Sequence, residues 1–172
     1  TATGGPSYAT GLDIGGGGGG RIAVYYTTDN SSLNYYIFGG TGADGESLGV
    51  YHRMGGAGTI YKKPSGQTNG NLIIDNNNQY TNLDDAFGRT LIDGTNYFNS
   101  ITLRNYGELL STTTSNIAAD TLDMSNKGIV SDYGGIFSPF SASGTLTIAT
   151  TSIYKVYVQR GYTGLSINDA AW

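Results

Sequence analysis

Six consecutive glycines, Gly15 to Gly20, run directly into Arg21-Ile22-Ala23-Val24-Tyr25-Tyr26. Glycine loses more backbone entropy on ordering than any other residue and brings no side chain to a core. Such a run is either a flexible tether or a place where only bare backbone fits. Tethers mix serine with glycine and lead into polar sequence, whereas here a β-branched and aromatic strand follows at once. Residues 1–20 are therefore expected to form a corner or a close-packed bare-backbone segment. The alternative is a glycine-rich N-terminal arm that orders only against a neighbouring subunit. Residues 21–172 are read as a single domain.

The composition bounds the partners. Gly contributes 28 of 172 residues and Pro only 3, which fits neither collagen nor a proline-rich linker. Charged residues make up 13% and there are 14 tyrosines, so the chain has the aromatic content of a folded protein and lacks the charge of a disordered one. A net charge of −4 with 9 Lys plus Arg excludes the basic face that nucleic acid requires. The small group Arg53, Lys62 and Lys63 reads as a solvated edge. There is no cysteine, so disulfides and thiolate metal sites are ruled out. No apolar run approaches the roughly 20 residues of a membrane helix, so membrane insertion is not expected. The chain opens on Thr1 rather than an initiator, so a removed leader or a piece of a longer chain is expected. Low charge with abundant Tyr, Asn, Thr and Gly points to an extracellular or cell-surface bacterial or viral protein.

Strand signals dominate, at 21–27, 33–38, 48–52, 58–62, 71–75, 100–104, 107–111, 120–124, 128–131, 144–149, 153–159 and 164–168. The one helical candidate is Asn116 to Met124. Strand centres recur near 73, 101, 122, 146 and 166, with a second series near 60, 83, 109, 129 and 156. Steps of roughly 20–28 residues match one coil of a three-sided β-helix. Asparagines at 76–78, 105, 116 and 126 suit stacked turns, where equivalent side chains ladder. The fold class predicted is all-β, a parallel β-helix (solenoid) spanning 21–172. Asn69-Gly70, Asp93-Gly94 and Asp44-Gly45 are hairpin turn signals and keep an antiparallel β-sandwich as the alternative.

The glycine run with RIAVYY, followed by GGAGTIYKKPSGQTNGNLIIDNNNQ at 55–79, resembles repeat segments of very large, repetitive bacterial surface proteins. In those segments a glycine run precedes GRIAIYY, then GAGTIY and a GDLIIDN-like stretch. The resemblance covers residues 15–26 and 55–79. It implies a right-handed parallel β-helix on a secreted or cell-surface protein and carries no catalytic assignment.

Candidate chemistry is sparse. The glycine run contains G-x-G-x-x-G but lacks the preceding strand and following helix that a dinucleotide site needs. Asp84-Asp85, with Arg89 four residues on, resembles the paired acids of β-helical pectin-degrading enzymes, although neighbours on a strand point to opposite faces. The single histidine, His52, reads as a rim residue. No catalytic residue is assigned and the chain is read as a non-enzyme. With one His and no Cys, zinc and iron are excluded; calcium needs only oxygen ligands, and Asp75, Asp84 and Asp85 are weak candidates for it. The tyrosine pairs Tyr25-Tyr26 and Tyr35-Tyr36 each send one ring outward from a strand, where it suits sugar stacking or a protein interface. Asn30-Ser31-Ser32 fits the N-glycosylation pattern. The function expected is a non-catalytic structural or adhesive extracellular segment, a subunit able to self-associate into a filament by stacking or strand exchange. The alternative is a carbohydrate-binding or polysaccharide-degrading, tailspike-like β-helix protein.

Overall fold

The computed structural model describes residues 1–7, 15–29, 34–42, 54–79, 88–133, 136–138, 145–148 and 153–156. Among them the chain is all-β, without a helix. Runs rich in Ile, Leu, Val and Thr form β1 (Arg21–Tyr26), β2 (Thr59–Pro64), β3 (Asn71–Asp75), β4 (Thr90–Leu91), β5 (Gly94–Arg104) and β6 (Glu108–Thr112). They continue as β7 (Ser115–Asn126), β8 (Ile129–Tyr133), β9 (Ile136–Ser138), β10 (Thr145–Ile148) and β11 (Ile153–Val156). One sheet has the order β1-β2-β3-β5-β7-β10, with β9 also on β7, and a second has the order β11-β8-β6-β4.

The pairing is mostly parallel. Leu72 lies beside Ile101, Ile101 beside Leu122, and Leu122 beside Leu146. In the second sheet Leu109 lies beside Val130, and Ile129 beside Ile153. These partners reproduce the rhythm near 73, 101, 122 and 146, and the later members of the second series. Leu72, Ile74, Ile101, Leu103, Ile117, Leu122 and Met124 from the first sheet meet Leu109 and Val130 from the second in one buried cluster. Leu72, Ile101 and Leu122 thus stack from one strand to the next, and each strand's backbone groups are used by its neighbours.

Three expectations about elements need correction. The helix at Asn116 to Met124 is the middle of β7. Ala, Leu and Met favour helix locally, but parallel ladders on both sides of this segment outweigh that preference. The strand at 58–62 belongs to the first sheet rather than to the second series, because β2 pairs antiparallel with β3 and parallel with β1. The stretch 34–38 joins no ladder. Of the hairpin signals, Asn69-Gly70 does end the β2–β3 connection, the one antiparallel pair among the described residues. Asp93-Gly94 instead turns the chain from one sheet to the other: Gly94 has φ 73° and donates its N–H to Asp93 Oδ1 at 2.8 Å. Asp44-Gly45 and the strand expectations at 48–52 and 164–168 lie outside the described residues.

The turns after β3, β5 and β7 stack. Asn77, Asn78, Asn105, Tyr106 and Lys127 all have positive φ, between 52° and 63°. Asn tolerates this left-handed region better than most residues. Asn126 Nδ2 donates to Asn105 Oδ1 at 2.6 Å, and Asn105 Nδ2 donates to Asp75 Oδ1 at 2.9 Å, forming a ladder across three turns. The long strands β5 and β7 also bend together. Burial passes from Phe98 to Ile101 and Leu103 in β5, and from Ala119 to Leu122 and Met124 in β7. The period-2 alternation slips by one residue at the same level in both strands, as a corner requires. Asn71 Oδ1 pins this corner by accepting from Asn99 Nδ2 at 3.0 Å and Ser100 Oγ at 2.8 Å.

The glycine run packs as bare backbone. Segment 15–20 hydrogen-bonds to three neighbours: Gly17 N–H donates to Gly5 O (3.0 Å), Gly19 N–H to Gly56 O (2.8 Å), and Gly17 O accepts from Gly40 N–H (2.7 Å). Segment 34–42 likewise bonds to 1–7, 15–20 and 54–58, with Gly4 N–H donating to Phe38 O and Gly55 N–H to Gly40 O, both at 2.9 Å. A strand in a sheet has two neighbours in one plane; these segments have three, arranged around them. Only glycine allows such closeness, as at the axis of a collagen triple helix. A Cβ on Gly16, Gly19, Gly39, Gly40 or Gly58 would come within 3.0 Å of a backbone carbonyl oxygen. The bundle passes straight into the sheet: Thr59 N–H donates to Gly20 O at 3.1 Å, and the next residues pair as β1 and β2.

Candidate functional site

The β1–β2–β3 ribbon has two differently used faces. Tyr61 and Leu72 are cross-strand partners and turn toward the core, where Tyr61 packs against the buried cluster. The opposite face carries Ile60, Lys62 and Ile73 and is covered by the 34–38 segment; these residues line one open cleft with Tyr35 and Tyr36. The tyrosine pairs sit on this ribbon and its cover because Tyr25-Tyr26 ends β1, while Tyr35-Tyr36 leads into Ile37, 1% exposed, whose carbonyl accepts Gly58 N–H at 2.6 Å in the glycine bundle.

Lys62 is the centre of the arrangement. Its Nζ donates to Asp29 Oδ2 at 2.6 Å and lies 5.6 Å from the ring centroids of both Tyr26 and Tyr35. The hydrogen bond to Asp29, aided by that carboxylate's charge, raises the Lys62 pKa above the ordinary lysine value. The ammonium is thus held as a cation between two aromatic faces. Tyr36 is 44% exposed, edge-on to Phe38 with centroids 6.4 Å apart. The cleft lined by Tyr35 and Tyr36 has a volume of about 330 Å³, and its far wall is the ion pair of Arg104 Nε with Asp75 Oδ2 at 2.7 Å. A second open cleft of about 490 Å³ lies beside Tyr25, Tyr26 and Lys63 at the start of the β2–β3 connection. All four tyrosines singled out in the sequence therefore line clefts, and Lys62 joins the two sets of rings.

Tyr25 has a second relation that its position in sequence does not disclose. Its ring stands edge-on to Tyr61 at 6.0 Å, and Tyr61 stands edge-on to Phe98 at 6.3 Å. Phe98 is 8% exposed and Tyr25 71%. An aromatic column thus climbs from the core to solvent along the inner face of the ribbon.

Asp75, a calcium candidate, accepts from Asn77 N–H and Asn105 Nδ2 on Oδ1 and from Arg104 Nε on Oδ2. Both of its oxygens serve the stacked turn. Asp84, Asp85, His52 and Asn30-Ser31-Ser32 lie outside the described residues. Among the described residues no group of three or more His, Cys, Asp or Glu could hold a metal ion.

Two buried polar residues join distant segments: Asn76, expected only as a laddering turn asparagine, and Glu108, which the sequence does not single out. Asn76, 5% exposed, accepts Gly39 N–H on Oδ1 at 3.0 Å and donates to Gln79 O at 3.0 Å, tying the glycine bundle to the first stacked turn. Glu108, 2% exposed, accepts Arg89 Nε at 3.1 Å and the Ser131 hydroxyl on Oε1. Arg89 also lies 5.3 Å from the Tyr133 ring. A lone Glu in a β-run carries no local sign of burial, because the groups that hold it come from segments 19 and 23 residues away in sequence. Comparison with protein-family models, with curated proteins and with solved structures finds no match.

Proposed function

We propose that this chain is a non-catalytic structural or adhesive segment of an extracellular or cell-surface protein, folded as a right-handed parallel β-helix and able to associate with identical chains. The observation that carries this reading is the stacked turn at Asp75, Asn105 and Asn126. There a side-chain ladder, left-handed backbone and parallel pairing recur together from one strand to the next. In such a stack the backbone groups of one coil are satisfied by the next, and apolar side chains form a continuous column. The role is then mechanical: a stiff body whose sheet edges template the addition of further chain. The resemblance of residues 15–26 and 55–79 to repeats of large bacterial surface proteins agrees with it. Sedimentation velocity and electron microscopy across a wide concentration range test the reading. Oligomers or filaments are expected; a chain that stays monomeric at the highest concentrations overturns the associating role.

A second reading, glycan binding, rests on the Tyr35–Tyr36 cleft. Its charges are paired internally, Lys62 with Asp29 and Arg104 with Asp75, so its lining is aromatic and close to neutral. Flat rings with polar tips suit uncharged sugars. Glycan-array binding that disappears in Tyr36→Ala would support this reading, and an array without binders would sink it.

A further inference from the structure

The column Phe98–Tyr61–Tyr25 ends in solvent, and that end has a specific form. In β1 the residues on the Tyr25 face, Arg21, Ala23 and Tyr25, are exposed, while Ile22, Val24 and Tyr26 on the other face are half-buried. Tyr61, one strand further in on the same face, already packs against the core. β1 is also the last strand of its sheet among the described residues. Native edge strands are commonly guarded by central charges, proline, a bulge or shortness. β1 has six residues, no proline and one charge, at its first position.

We infer that two copies of this chain pair through β1, antiparallel, about a two-fold axis at Ala23; the inference rests on the self-association proposed above. Closed two-fold pairs are the commonest assemblies, and their interfaces are self-complementary. Antiparallel pairing centred on Ala23 meets that condition residue by residue. Arg21 falls opposite Tyr25 of the second copy, a cation over an aromatic face. Ile22 falls opposite Val24 of the second copy on the other face, and Ala23 opposite Ala23. Parallel in-register pairing would instead place Arg21 against Arg21, and directly opposed like charges are unfavourable. The antiparallel pair covers both Tyr25 rings, so the two aromatic columns end against each other's edge rather than in water.

The sequence contains no cysteine, which makes a single introduced thiol a clean probe. Ala23 is exposed, so Ala23→Cys leaves the fold intact. Directly opposed residues have Cβ atoms about 4.5–5.5 Å apart, close enough for a disulfide with small shifts. Under mild oxidation most of the Ala23→Cys protein is expected to run as a reducible dimer. Thr113→Cys, at an exposed turn elsewhere, stays monomeric. In the cysteine-free protein, Tyr25→Ala and Arg21→Glu are each expected to raise the dimer dissociation constant at least tenfold with an unchanged circular dichroism spectrum. Oligomers that form normally but neither cross-link at Ala23→Cys nor weaken in these variants overturn the β1 interface and leave self-association standing. Equal cross-linking at Thr113→Cys overturns it as random collision. A wild-type chain monomeric throughout overturns both inference and premise.

Discussion

The glycine bundle and the stacked strands solve one problem by opposite means. Both consist of extended backbone whose N–H and C=O groups must find partners. In the strands at 71–133 the partners lie in the plane of a sheet, and stability comes from the apolar side chains between the sheets, such as Leu72, Ile101 and Leu122. In the bundle of 1–7, 15–20, 34–42 and 54–58 the two central segments, 15–20 and 34–42, have partners on three sides, and removal of side chains is what lets the backbones meet. One region is held by what its side chains fill; the other depends on their absence. Asn76 fastens one to the other through Gly39.

The sharpest way to break this comparison is to add a methyl group. Gly19→Ala would force a Cβ against Ile37 O, with an expected loss of about 3 kcal/mol or more. Gly5→Ala, which meets nothing within 4 Å, should stay within about 0.5 kcal/mol of wild type. Urea denaturation of the two variants checks the pair, and equal stabilities would mean the bundle does not persist in solution. The strands should respond to the reverse change. Leu122→Ala removes methyl groups from a fully buried site and should cost about 3 kcal/mol. An Ala substitution is thus harmful in the bundle for what it adds and in the strands for what it removes.

A smaller effect separates polar from apolar support within the strands. Arg89→Met leaves the buried Glu108 carboxylate without its cation and should cost about 2 kcal/mol, below the range for fully buried pairs because Arg89 is partly exposed. The double variant Arg89→Met with Glu108→Leu should recover part of that loss, since it leaves no unpaired charge. Thermal melts of the single and double variants check this.

The smallest effect is expected at the surface pair. Because hydrogen bonding to Asp29 raises the Lys62 pKa in the folded state, the pair's contribution is complete below the unfolded lysine value near 10.4. It is lost as pH rises through the higher folded value. Between about pH 9 and 12 the wild-type advantage over Asp29→Asn should fall away, by no more than about 1 kcal/mol for an exposed pair. Melting curves at stepped pH give the comparison, and an advantage constant across that range would refute it.

Much of the strand order was legible because it depends on composition repeated at intervals. The rhythm near 73, 101, 122 and 146 appears in the parallel partners Leu72, Ile101, Leu122 and Leu146, and the asparagines expected to ladder do so at Asn105 and Asn126. The failures have local causes. At Asn116 to Met124 the corner slip between Ala119 and Leu122 imitates helical spacing, while the ladders that decide the matter are made with the distant strands β5 and β10. At Asn34 to Phe38 a strand-like composition flows into glycines whose bonding directions no local pattern records. The tyrosines were legible as outward rings, but the column through Tyr61 and Phe98 was not, since its members come from three separate strands.

The sequence by itself determined that this chain is extended, charge-poor and turned at Asn and Gly, because those are properties of single residues and their near neighbours. It also determined that Gly15 to Gly20 leaves no room to be anything but backbone. Only the tertiary structure decided where that backbone goes. Which segments approach closely enough to exclude a Cβ, which face of β1 stays exposed, and which strand buries Glu108 all follow from register between distant segments. That register is chosen by the summed burial and hydrogen bonding of the whole fold.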